Sequence, residues 1–324
     1  MKAYQYSDAA NGLELKDVPV PQPGADEVLI RVKAAGMCHS DCHIYQGKGD
    51  SWLLRRPITL GHEVAGEIIE TGSNVIDYRP GDRVAVYHVG QPVEERKWAE
   101  SIGLGFDGGY AEFATPPVSR IRRIPEGVSF AQAAVATDAL ATSYQAVVSR
   151  AGAKKNRTIG VIGLGGLGMS GLAFGVIEGA TVYGFDIMES KFEEAKRLGA
   201  TECFKSTEQA KEVVFDAFVD FVGAESTTQA ALSSVKEGGT VVLVGLATDT
   251  TRVPTHLLIT RSLTLAGSIG ASKADLDRVL DLLQQGSIDP LLVEVPFHEI
   301  PATLDKLDKG KLLVGRYWAD PSKI

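Results

Sequence analysis

Val28, Ile30 and Val32 alternate with charged neighbours in EVLIRVKAAG, and the segments EVAGEIIETG and DRVAVYHV follow in the same manner. A hydrophobic period of two marks half-buried strands. Pro21, Pro23, Gly24, Pro57, Gly61, Pro80 and Gly81 punctuate these segments at turn-like positions. The first part of the chain therefore predicts a small antiparallel barrel or sandwich. From about Ser129 the pattern changes to FAQAAVATDALATSYQAVVSRAG, whose good helix formers predict one or two helices. Short β-branched runs come next: TIGVIG, ATVYGFD, ATECF, FDAFVDFVG, GTVVLVG and SLTLAGS. They are separated by helical stretches such as GGLGMSGLAFGVIEGA, MESKFEEAKRLGA and STTQAALSSVKEGG. Strand and helix in alternation predict βαβ units and a parallel sheet covered on both faces. The tail from about Ala271 reads as helix, strand, helix, strand, and its pattern does not say which domain it joins.

Composition narrows the classes. A chain of 324 residues, 44% of them hydrophobic, is long enough for two domains that each bury a core without disulfides. The net charge is −8 and the basic residues are scattered, which argues against a nucleic-acid partner. The start MKAYQYSDAANGLELKD has no apolar core of a signal peptide, and no apolar run reaches bilayer-spanning length. The expectation is a cytoplasmic protein with no membrane partner. Only Cys38, Cys42 and Cys203 occur, which gives no disulfide framework.

Gly163-Leu164-Gly165-Gly166-Leu167-Gly168 fits the pattern G-x-G-x-x-G, follows the apolar run TIGVI and opens a helical stretch. Asp186 ends the next apolar run, 23 residues after Gly163. In that setting the first Gly permits a tight turn, the second lets backbone approach a pyrophosphate, and the third lets helix and strand pack closely. Asp186 would accept hydrogen bonds from an adenosine ribose and repel a 2'-phosphate, so NAD(H) is expected over NADP(H). Lys191 is the nearby cation that could favour the phosphate instead.

Two clusters in the strand-rich part carry metal-type chemistry: Cys38-His39-Ser40-Asp41-Cys42-His43 and Gly61-His62-Glu63. A catalytic zinc takes about three protein ligands and keeps one open position. Cys38 and His62 supply two donors. Several carboxylates could supply the third.

GMCHSDCH (36–43), GHEVAGEIIETGSNV (61–75), GDRVAV (81–86), GLGGLG (163–168) and the terminal VGR (314–316) occur in this order. On these motifs the chain resembles the zinc-containing medium-chain alcohol dehydrogenases over essentially its whole length. The resemblance implies an α/β protein: a GroES-like β-rich catalytic domain plus a Rossmann domain with a doubly wound parallel sheet. Residues 1–139 would begin the catalytic domain, 140–268 would form the NAD-binding domain, and 269–324 would return to the first. It also implies a site in the cleft between domains and a homodimer or homotetramer. Cys38 and His62 match two ligands of one catalytic zinc, and Asp138 in VATDALATSY matches the third, with a helix cap as its alternative reading. Glu63 matches a glutamate that can approach the metal, and Asp41 a carboxylate that orients His62. Ser40 and His43 match a proton relay through the nicotinamide ribose. His39 and Arg316 resemble pyrophosphate contacts, and Thr142 a residue facing the nicotinamide.

The chain departs from many relatives in one segment. HVGQPVEERKWAESIGLGFDGGYAEF is short and cysteine-free where they carry a lobe with a structural zinc. His88 there could be a polar substrate contact or the end of a strand, and Trp52, Leu53 and Leu54 could form an apolar wall or core. The expected activity is zinc-dependent interconversion of an alcohol and its aldehyde or ketone by hydride transfer to or from NAD(H). The alternatives are a zinc-free quinone or enone reductase, which predicts no ligands at 38 and 62, and a nucleotide-binding protein without catalysis.

Overall fold

The computed structural model describes residues 1–88, 90–310 and 315–323. Val314 of the VGR motif and the start of the expected strand KLLVGRYWAD lie outside them. The chain forms two compact units, Met1–Ala139 with Ala271–Ile324, and Leu140–Gly270. None of the helices among the described residues is long and apolar enough to cross a membrane.

The first unit opens with strands β1 (Lys2–Tyr6), β2 (Leu13–Asp17) and β3 (Val28–Gly36), followed by helix α1 (His39–Tyr45). Strands β4 (Ile58–Thr59), β5 (Glu63–Thr71), β6 (Arg83–Val86), β7 (Phe113–Ala114) and β8 (Ile121–Arg123) come next, and then helix α2 (Phe130–Val135). A small sheet runs β2-β1-β4, and β3 pairs antiparallel with both β5 and β7. Along β3, Ile30 and Val32 are buried and Arg31 is exposed, as a period of two requires. At Ala34, Ala35 and Gly36 the alternation stops and every position is buried. Helix α2 packs on β3 and β5. The register places Gly36 opposite Glu63. A slip of one residue would turn every side chain to the other face, so the apolar core fixes this pairing.

In the second unit, helix α3 (Ala141–Tyr144) precedes strand β9 (Thr158–Ile162), helix α4 (Gly166–Ile177) and strand β10 (Thr181–Phe185). Helix α5 (Phe192–Arg197), strands β11 (Glu202–Phe204) and β12 (Phe215–Asp220), helix α6 (Glu225–Ser234) and strand β13 (Val235–Leu243) follow. Helix α7 (Thr255–Thr260) and strand β14 (Thr264–Gly267) end the unit. Its sheet is parallel throughout, in the order β11-β10-β9-β12-β13-β14. That is the doubly wound order 3-2-1-4-5-6.

The tail supplies helix α8 (Lys273–Gln284), strand β15 (Leu292–Glu294), helix α9 (Ile300–Asp308) and strand β16 (Arg316–Ala319). Strand β16 pairs antiparallel with β3, Trp318 opposite Gly36, and so belongs to the first unit.

Two elements differ from the pattern-based expectation. Val235 to Gly239, expected to finish a helix, belong to β13. Val235 is fully buried, and Gly238 has φ +69°, a conformation that ends a helix readily. The Ala-rich stretch is not plain α-helix either. Wide π turns occupy Ala136–Leu140 and Gln145–Arg150, on either side of α3.

Candidate functional site

Cys38 lies two residues past the end of β3 and His62 directly precedes β5, so the pairing of Gly36 with Glu63 brings them together. Asp138 arrives from the π turn after α2, a distortion that often accompanies function. One donor atom from each of Cys38, His62 and Asp138 lies within 4.8 Å of the others, and all three residues are buried. Asp138 Oδ2 is 3.5 Å from Cys38 Sγ and 3.4 Å from His62 Nε2. Thiolate, imidazole and carboxylate form a donor set suited to zinc, and three ligands leave the fourth tetrahedral position open.

The surrounding groups fix these donors. Asp41, on α1, accepts from the Cys38 backbone N–H at 3.0 Å, reaching back to the residue that starts its own helix. Its other oxygen lies 3.2 Å from His62 Nδ1. Burial favours a protonated Asp41 carboxyl, but His62, the Cys38 N–H and the Tyr110 hydroxyl outweigh it and hold the pKa below the ordinary value. An ionised Asp41 makes Nδ1 the donor and leaves Nε2 facing Cys38 and Asp138. Burial acts on Asp138 in the same way and is overcome by His62 and, more weakly, by His88 and Arg316, so this carboxyl stays well below the usual range.

Glu63 is turned toward Arg316. Arg316 Nε donates to Glu63 Oε2 at 3.1 Å, and its Nη2 donates to Oε1. The Ala139 N–H of the π turn also donates to Oε1, at 3.3 Å. A Cβ at position 36 would lie 2.0 Å from Glu63 Oε2, so only glycine leaves room for this carboxylate. Burial opposes charge on Arg316, but the Glu63 carboxylate prevails and keeps the guanidinium protonated. Arg316 Nη2 also lies 3.9 Å from Asp138 Oδ2. The residue expected at the pyrophosphate is therefore held, in this structure, by Glu63, with Asp138 of the metal cluster beside it.

Ser40 Oγ is 3.6 Å from Cys38 Sγ. His43, at the end of α1, sets its half-buried ring edge-on to Trp52, with centroids 6.2 Å apart. His39 is exposed. Trp52 and Leu53 pack against the core, whereas Leu54 is exposed. His88 resolves differently from a strand end, because β6 stops at Val86. Its buried ring lies 5.2 Å from that of His62, and its Nδ1 is 3.2 Å from Ser101 Oγ. Burial, reinforced by His62, pushes its pKa down to about 4, so it is neutral near pH 7.

In the second unit, Gly163 follows β9 with φ +88°. A Cβ at Gly168 would lie 1.8 Å from the Gly163 carbonyl oxygen, whereas one at Gly165 would meet nothing within 4 Å. The third motif glycine thus serves packing, and the second leaves open space. Gly166 and Leu167 begin α4, which has no side-chain cap, so its first N–H groups are available to an anion. Asp186 follows β10 and accepts from the Leu164 N–H at 2.8 Å, from Lys191 Nζ at 2.8 Å and from the Met188 N–H at 2.9 Å. Thr142 is buried in α3. These groups fit a dinucleotide.

Similarity to known proteins identifies the family. Residues 24–126 match the model of the alcohol dehydrogenase GroES-like domain, and residues 166–285 match that of the zinc-binding dehydrogenases. An NAD-dependent alcohol dehydrogenase of Sulfurisphaera tokodaii is 30% identical over 98% of this chain and 99% of its own length. The structure of acetophenone reductase from Geotrichum candidum in complex with NAD superposes with a TM-score of 0.90, at 31% identity over 100% of this chain and 98% of that one. The alcohol dehydrogenase of Aeropyrum pernix gives 0.89 at 27% identity, over 99% and 100%. A GroES-like unit joined to a Rossmann unit defines the class of medium-chain dehydrogenases. Within it, the chain belongs to the zinc-binding alcohol dehydrogenase family.

Sequence reasoning passed over Tyr110 and Ser101. Both stand in the cysteine-free segment that was notable only for what it lacks. The Gly108-Gly109 pair before an aromatic was the available signal, since adjacent glycines allow a close backbone approach. Gly108 and Gly109 lie against Leu60 and Gly61, with the Gly109 N–H donating to the Gly61 carbonyl at 2.8 Å.

Proposed function

We propose that the protein is an NAD-linked, zinc-dependent alcohol dehydrogenase that interconverts a small alcohol and its aldehyde or ketone. The convergence of Cys38, His62 and Asp138 carries this reading. A zinc-free reductase of the same superfamily has no use for such a cluster. Zinc held by these three residues would supply Lewis acidity that favours negative charge on the substrate oxygen, and NAD would supply the hydride acceptor.

The chain's own residues do the rest. Asp41 orients His62, and the Arg316–Glu63 pair positions the π turn that bears Asp138 through the Ala139 N–H. Ser40, beside Cys38, accepts the proton of the alcohol hydroxyl. His43, one turn along α1, receives it on the way to solvent. Thr142 contacts the nicotinamide, His39 and Arg316 the pyrophosphate, and Gly163 to Gly168 carry its phosphates. Glu63 remains able to turn to the metal when Arg316 engages the cofactor. Asp186 favours NAD over NADP, although Lys191 offsets part of its charge. A homodimer or homotetramer in the cytoplasm completes the reading.

Elemental analysis and NADH oxidation against ketones, aldehydes and enones test it. About one zinc per chain and chelator-sensitive carbonyl reduction are expected. Metal-free protein that reduces an enone would overturn it.

A further inference from the structure

We propose that Tyr110 is a positioning residue for the metal centre, its hydroxyl locking Asp41 and its ring locking the backbone before His62. The inference rests on the zinc site proposed above but assigns a role to a residue outside the ligand set and outside the motifs.

The Tyr110 hydroxyl lies 2.8 Å from Asp41 Oδ2 and 3.2 Å from the Gly36 carbonyl. Its single proton goes to the nearer, charged acceptor. Asp41 Oδ2 therefore has two donors, Tyr110 and the Cys38 N–H, which fix the carboxylate plane and leave Oδ1 for His62 Nδ1. At the other end, the Tyr110 ring rests on Gly61, where φ is +93° and an added Cβ would come 2.6 Å from the ring. Gly61 immediately precedes His62, and Gly36 lies two residues before Cys38.

One side chain thus touches the approach to two of the three ligands and the carboxylate that orients one of them. Its own backbone is tied on both sides: the Tyr110 N–H donates to the Leu60 carbonyl at 3.0 Å, and the Tyr4 N–H donates to the Tyr110 carbonyl at 2.8 Å. Tyr110 is completely buried. A purely packing role would be served equally by phenylalanine, whereas the bond to Asp41 would not.

Zinc affinity decides the matter, measured on the full chain by competition with a chromogenic chelator alongside apo-protein unfolding. Wild type binding about one zinc per chain upholds the site; no binding overturns both readings. Tyr110→Phe is expected to fold and to weaken zinc binding about tenfold, the low end for partners outside the ligand set. Tyr4→Phe, which removes a hydroxyl bonded to the His298 carbonyl in the same core, is expected to bind zinc as wild type does. Asp41→Asn, close to the native volume, is expected to weaken binding at least as much as Tyr110→Phe. If wild type binds zinc and either Tyr110→Phe or Asp41→Asn binds it as tightly, the positioning role falls while the zinc site stands.

Discussion

Arg316 and Glu63 form a largely buried ion pair, with Glu63 fully buried, between the first residue of β16 and the first of β5, 253 positions apart in the chain. Removing one partner of such a pair leaves an uncompensated buried charge and costs about 3–5 kcal/mol. Arg316→Met is expected to lower the urea unfolding free energy by about 3 kcal/mol. Replacing both partners together, Arg316→Met with Glu63→Gln, should restore part of that loss. A single variant as stable as wild type would show that the pair contributes nothing.

Asp138 supplies the hard donor of the metal cluster. Asp138→Ala should purify with well below one zinc per chain, and Asp138→Cys, which replaces carboxylate with thiolate, should retain it. His88 lies outside the ligand cluster, so His88→Phe should keep a full complement. Elemental analysis of the three proteins separates ligand from neighbour.

The motif glycines should divide by what surrounds them. Gly168→Ala places a methyl against the Gly163 carbonyl and must push α4 off β9. It should lower the melting temperature and abolish detectable NADH binding. Gly165→Ala meets open space, so it should leave the melting temperature within about 2 °C while weakening NADH binding at least tenfold. Thermal scans and NADH fluorescence titration read the two effects separately. Equal melting temperatures for both variants would contradict the packing role of Gly168.

Asp216 ties the second unit together at acid-sensitive points. It accepts from the Thr158 N–H at 2.7 Å and pairs with Lys236 at 2.5 Å. Although burial opposes the charge, Lys236 and the Thr158 N–H prevail and lower its pKa. A depressed folded-state pKa gives stability that is present above the unfolded value, near 4, and is lost as pH falls through the folded value. Asp216→Asn should therefore cost about 1–2 kcal/mol at pH 7 and progressively less below pH 4. Unfolding free energies at pH 7 and pH 3 check the sign, and a loss that grows on acidification would refute it.

Much of this was legible in the chain. Alternation in EVLIRVKAAG gave β3, and the spacing of GLGGLG to Asp186 pointed to the nucleotide turn, because a backbone period and a glycine pattern are local. Cys38 and His62 stood out by residue type and setting. Asp138 needed the family resemblance, since a carboxylate in an Ala-rich stretch looks the same whether it caps a helix or faces a metal. The π turns were illegible because helix propensity does not distinguish hydrogen-bond spacings. Tyr110 and Ser101 were passed over for another reason. Their partners, Asp41 and His88, are remote in sequence or separated by an irregular loop, and no period connects them. Arg316 was legible as a charged residue of the tail, but its carboxylate partner depends on β16 pairing with β3.

That pairing also sets the order in which the centre is completed during synthesis. At about 5–20 residues per second, roughly 10–35 s separate Asp138 from Arg316 as the chain leaves the ribosome. Over that interval the whole second unit emerges, while β3 lacks the neighbour whose Tyr317 carbonyl receives the Met37 N–H at 2.9 Å. Cys38 and Cys42 spend this time as thiols without their native cover, including the Leu304 carbonyl that Cys42 later meets at 3.4 Å. The burial of both thiols in the finished molecule is thus completed by the part of the chain that is made last.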